Sequence, residues 1–249
     1  VTCSADGSIC SWDVSTMKQI DRYISENLHF MSLAITFGGG YLIVGASKDM
    51  LLVFNVNTLK MCYSTNLFDN PNGRILSISN SPLQPDLVLV NDDQGNCCLF
   101  NLQSQKIVWT PPIVHSEQIK CSAMSMHRKD TFAITYTQGI LRLFIAQKSY
   151  VLKYVKPIDL HYVIFSPHNE RHLLTSTDTG IVIFWEINYE NPTVFTAKVV
   201  SKHLRKSRAI AFHPLYSNIA ISGGYDGYLC LFDYIQNTQI CTVHAHLDH

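Results

Sequence analysis

The chain has 249 residues, 47% of them hydrophobic and only 15% charged, with 19 basic and 19 acidic side chains. That balance suits one large all-β domain with many buried strands, and it excludes a global field that would draw nucleic acid or an anionic membrane. No apolar run approaches the ~18 residues of a membrane span, and no charged-then-apolar secretory leader is present.

The sequence begins at Val1, without a Met, in strand-like residues, which predicts a fragment of a longer protein. Its first predicted hairpin turns at Asp6-Gly7 and runs through "SICSWD" to Trp12-Asp13. The same pattern, a turn followed by alternate apolar residues and a closing aromatic, returns five times. "KDMLLVFN" ends at Phe54-Asn55, "DQGNCCLFN" at Phe100-Asn101, and "TQGILRLFI" at Phe144-Ile145. "DTGIVIFWE" ends at Trp185-Glu186, and "YDGYLCLFD" at Phe232-Asp233.

A second strand-like run precedes each later beat, from "YLIVGAS" to "NIAISGG", and a further run precedes that, from "FMSLAITF" to "RAIAFHP". The "SP" and "HP" endings mark turns, because proline cannot continue a ladder. A more polar run such as "TLKMCYST" follows each beat, as expected of an edge strand with one wet face.

The six aromatic beats are 41 to 47 residues apart, the spacing of four-stranded repeats. On these residues the whole chain resembles the WD40 family. The resemblance implies an all-β WD40 β-propeller with six blades represented, the first incomplete, as one truncated domain over 1–249 of a seven-bladed ring. It also implies a buried polar network in each intact blade: a turn Asp, a strand Ser or Thr, a preceding His and a strand Trp. The sixth blade offers His203, Ser222 and Asp226, with Phe232 in place of the indole; the first offers Thr2, Asp6 and Trp12. The fifth offers Thr175, Asp178 and Trp185, whereas Val44, Val90 and Ile134 take the hydroxyl position in the middle blades. Those three copies are expected to rest on apolar packing.

Eight cysteines contain no C-x-x-C pair, and Cys10, Cys98 and Cys230 fall within alternating apolar runs. They read as reduced thiols, which predicts a reducing intracellular, cytoplasmic setting.

Catalytic patterns are scarce. "FGGGY" at 37 to 41 lies between two strands with no helix after it, so it reads as a hairpin turn rather than a phosphate loop. "HAHLDH" at 244 to 249 has metal-ligand residue types but falls in a predicted inter-blade loop. His115 and His203 precede strands by the same interval, which favours a structural role for both. No catalytic, cofactor or metal residue is assigned, and the chain reads as a non-enzyme.

The strongest patch is "KHLRKSR", with Lys202, Arg205, Lys206 and Arg208, which reads either as a solvated loop whose charges keep an edge soluble or as a candidate docking loop for an acidic or phosphorylated partner. "SWDVSTMKQIDRY", "HSEQIKC" and "TDTGIVIFWEINYENP" are similar to stretches of the NEDD-type centrosomal WD40 proteins. That resemblance implies an adaptor that docks to centrosome or spindle proteins and helps bring the γ-tubulin ring complex to them. The alternative is a scaffold of a nuclear or ribonucleoprotein complex, for ribosome assembly or chromatin, with direct nucleic-acid binding not expected on either reading.

Overall fold

The computed structural model describes residues 1–112 and 118–246. They form two compact units, Val1–Ile113 and Val114–His249, each built from three antiparallel sheets.

In the first unit, β1 (Thr2–Cys3), β2 (Ser8–Asp13) and β3 (Lys18–Ile24) make a three-stranded sheet. The second sheet is β4 (Phe30–Ile35), β5 (Tyr41–Ala46), β6 (Met50–Asn55) and β7 (Met61–Asn66). The third is β8 (Ile75–Ser81), β9 (Gln84–Asp92), β10 (Cys97–Asn101) and β11 (Lys106–Trp109).

In the second unit, β12 (Ile119–Met124), β13 (Thr131–Tyr136), β14 (Ile140–Ile145) and β15 (Lys148–Lys153) form the fourth sheet. The fifth is β16 (Leu160–Phe165), β17 (His172–Thr177), β18 (Ile181–Ile187) and β19 (Phe195–Lys202). The sixth is β20 (Ser207–Phe212), β21 (Ile219–Gly224), β22 (Tyr228–Asp233) and β23 (Thr238–His244). Every sheet is a meander, so each strand pairs with its neighbour in sequence.

Burial follows strand position. In the second to fifth sheets the second and third strands are largely buried on both faces, as in "LIVGA" of β5 and "LLVF" of β6, and are rich in Val, Ile, Leu and Phe. The last strand of each sheet is more polar and more exposed, as in β3 and β7. Within each unit, the apolar clusters lie between successive sheets. Ile9, Phe30, Leu42 and Phe54 join the first sheet to the second, and Leu51, Val53, Val88 and Phe100 the second to the third. Leu141, Leu143, Leu173 and Trp185 join the fourth to the fifth, and Phe184, Phe212, Phe232 and Tyr234 the fifth to the sixth. Deep burial of large side chains on both sheet faces is the main stabilising term, worth about 1.5–3 kcal/mol for each fully buried Leu or Phe.

The hairpin joining second and third strands needs one residue in left-handed conformation. Gly7, Gly95, Gly139, Gly180 and Gly227 supply it, with φ between 74° and 90°. A Cβ on Gly7, Gly139, Gly180 or Gly227 would also collide with a backbone oxygen of the loop leading onward. The second sheet departs from this rule by placing Asp49 there, at φ 53°.

Each four-stranded sheet has a register shift near the start of its first strand. The extra residues are Met31, Leu76, Lys120, His161 and Arg208. Such a bulge leaves its residue outside the ladder and re-aims its side chain.

Candidate interaction face and its buried clamp

In the sixth sheet the structure brings His203, Ser222 and Asp226 together. The His203 ring lies between Asp226 Oδ1 at 3.1 Å from Nδ1 and Ser222 Oγ at 2.8 Å from Nε2. A carboxylate can only accept, so Nδ1 carries the proton of its bond to Asp226, while Nε2 pairs with the Ser222 hydroxyl. Asp226 takes two further bonds, from the Leu204 amide at 2.8 Å and the Tyr228 amide at 3.2 Å. Burial pushes the Asp226 carboxyl up, but the Leu204 and Tyr228 amides and the His203 ring outweigh it and hold it below the usual carboxylate range. His203 is fully buried, and Phe232, at the position of the missing indole, is buried beside this sheet's apolar cluster.

The other two predicted sets are only partly assembled. Trp185 Nε1 donates to Thr175 Oγ1 at 2.9 Å in a fully buried setting. Asp178 does not join them, and its Oδ1 is buried with no hydrogen-bond partner among the described residues. The cause is local. Asp226 directly precedes the turn glycine Gly227, whereas Thr179 holds that place before Gly180 and Asp178 matches Tyr225; the amide that bonds the preceding turn glycine belongs to His203 in the sixth sheet and to Tyr154 in the fifth. In the first sheet Trp12 Nε1 donates to Thr2 Oγ1 at 2.9 Å, but Trp12 is 42% exposed. Asp6 instead accepts from the Ser8 amide at 2.8 Å, and the Ser8 hydrogen bonds lower its pKa. Val44, Val90 and Ile134 are fully buried among apolar neighbours. His115 lies outside the described residues, as does the end of "HAHLDH"; His244 closes β23 and its ring sits 4.7 Å from that of Tyr228.

The basic stretch is not wholly a loop. Lys202 ends β19 and Arg208 lies in β20, so only residues 203 to 206 connect the two strands. Lys202, Arg205, Lys206 and Arg208 are all exposed, as is Leu204 between them at 87%. The connection is anchored at both ends: the Leu204 amide is held by Asp226, and the Tyr225 amide donates to the Lys206 carbonyl at 2.8 Å. The clamp therefore fixes the backbone that displays the cations. The Arg208 guanidinium lies over the Tyr225 ring, 5.6 Å from its centroid.

Two residues missed in the sequence extend this face. Lys120 and His161 occupy bulge positions on β12 and β16, matching that of Arg208 on β20. Burial and then the Arg208, Lys120 and Lys206 charges push the His161 ring down to about 4, against an opposing pull from Asp178. The signal was available in the sequence: all three are the second residue of a first strand.

All eight cysteines are free thiols, with Cys62 and Cys241 exposed. No helix among the described residues is long and apolar enough to cross a membrane, and no group of three or more His, Cys, Asp or Glu among them is placed to hold a metal ion.

No protein-family model matches the chain, and no curated protein matches its sequence. Among solved structures it is similar to the Cps50 (Swd1) beta-propeller domain of Myceliophteria thermophila, with a TM-score of 0.80 and 12% identity. The match covers 97% of this chain and 81% of that one. At that identity the likeness speaks for the fold alone: the chain is an all-β protein with the β-propeller fold, its six sheets serving as blades.

Proposed function

We propose that this chain is a non-enzymatic protein-interaction scaffold, and that its basic face receives an acidic segment of a partner. The supporting observation is the use made of its His, Ser and Asp side chains. In the sixth blade they hydrogen-bond to one another and to the Leu204 amide, holding rigid the backbone that presents Arg205 and Lys206. A preorganised display of cations lowers the ordering cost of binding and favours charge-complementary partners. Fold alone does not assign a partner.

The finer reading, an adaptor for the γ-tubulin ring complex at centrosome or spindle, rests on the sequence stretches named above. The alternative is a scaffold in a nuclear or ribonucleoprotein complex. Co-purification of the tagged full-length protein from cells separates them. Recovery of γ-tubulin with centrosomal proteins supports the first; recovery of ribosome-assembly or chromatin factors without γ-tubulin supports the second. Recovery of no stoichiometric protein partner overturns the scaffold reading itself.

A further inference from the structure

A cavity of about 560 Å³ opens in the first unit between the second and third blades, far in sequence from the basic face. Its volume falls within the usual range of small-ligand sites, roughly 300–1,000 Å³. One wall comes from the turn between Thr36 and Tyr41; the other is made by Pro85, Asp86, Leu102, Gln103 and Gln105. Three aromatic side chains line it: Phe37, Tyr41 and Tyr63. Phe37 is 40% exposed and Tyr41 46%, so both rings offer free surface. The Tyr63 hydroxyl donates to the Leu102 carbonyl at 2.9 Å, which ties the two blades together at this point.

The cavity's polar groups carry one sign of charge. Asp86 is the only carboxylate among the described residues that line it, and no Lys, Arg or His is among them. Gln103 Nε2 donates to Asp86 Oδ1 at 3.0 Å, which orients the carboxylate and leaves Oδ2 with no hydrogen bond among the described residues. A Cβ added at Gly38 or Gly39 would meet no atom within 4 Å, so the mouth beside Phe37 is open.

We propose that this cleft binds an arginine side chain presented by a partner polypeptide. Aromatic rings attract a cation to their faces, and a guanidinium stacks on them while its planar fork pairs with an oriented carboxylate. A compact ammonium meets the second requirement less well. The site is independent of the basic face, which would take a partner of opposite charge.

Cys62 lines the same cleft and is exposed, which provides a test on the unaltered protein. Its alkylation by iodoacetamide is followed by mass spectrometry in the presence of Ac-Gly-Arg-Gly-amide or the neutral citrulline analogue, with exposed Cys241 as internal control. The arginine peptide is expected to slow alkylation of Cys62 at least fivefold at millimolar concentration and to leave Cys241 unchanged. The citrulline peptide is expected to protect neither, and Asp86→Asn or Phe37→Ala is expected to abolish the protection. Equal protection by the two peptides, protection unchanged in Asp86→Asn, or no protection by arginine overturns the proposal. None of these results depends on the basic face.

Discussion

The Asp49 carboxylate is packed against Gly73, in the space that a side chain at residue 73 would fill. Asp49 stands where the other hairpins have glycine, and the bare Gly73 is what admits it. Both carboxylate oxygens are buried without a hydrogen-bond partner among the described residues. Burial first, then the Asp92 and Asp93 charges, push the group up to about 6; the Asn70 amide, outside hydrogen-bond geometry, offsets only part of this.

Asp49→Gly is therefore expected to stabilise the protein by about 1–3 kcal/mol at neutral pH, by relieving left-handed strain and removing a buried charge. Gly73→Ala is expected to destabilise it. The pH dependence has a definite sign. Between about pH 4 and 6 the folded state retains a proton that the unfolded chain has lost, so this group's contribution to stability falls as pH rises. Urea denaturation across that range is expected to show a smaller fall in Asp49→Asn.

His161 acts in the opposite direction. Its ring in the folded state is pushed down to about 4, so between roughly pH 4 and 6.5 only the unfolded chain binds the proton. Stability from this group is present above pH 6.5 and is lost as pH falls. His161→Gln is expected to show a shallower acid limb in the same titration.

The clamp in the sixth blade is expected to behave as one unit. Asp226→Ala removes the partner of the buried His203 Nδ1 and of the Leu204 amide, at a cost of about 2–4 kcal/mol, and Ser222→Ala costs about 1–2. A double-mutant cycle on His203 and Asp226 is expected to give a coupling above about 1 kcal/mol. Because the Asp226 carboxyl is held low, its contribution is complete above the ordinary carboxylate range and is lost as pH falls below it.

Two tryptophans with the same partner type separate burial from hydrogen bonding. Thr175→Val strips the hydrogen-bond acceptor of a fully buried indole and is expected to cost about 1–2 kcal/mol. Thr2→Val leaves an indole that water can reach, so thermal unfolding is expected to change little.

Much of the fold was legible because each blade repeats one hydrophobic pattern, and the strand limits follow its turns and prolines. The clamp was legible in the sixth blade, where His203, Ser222 and Asp226 keep the spacing. It failed in the fifth because Thr179, not Asp178, directly precedes the turn glycine and Tyr154 stands where His203 does, a difference of one position in register that residue type alone does not report. Asp49 could have been found by aligning it with Gly7, Gly95, Gly139, Gly180 and Gly227. The cleft could not, because its walls come from five segments separated in sequence, and only folding brings Phe37 near Asp86.

The most direct test of the central claim reverses charge on the rigid display. Arg205→Glu, Lys206→Glu and Arg208→Glu are combined in the full-length protein, and partner recovery is measured beside thermal unfolding. The account predicts an unchanged melting temperature with loss of at least one stoichiometric partner. Undiminished recovery of every partner by a normally folded variant would contradict it.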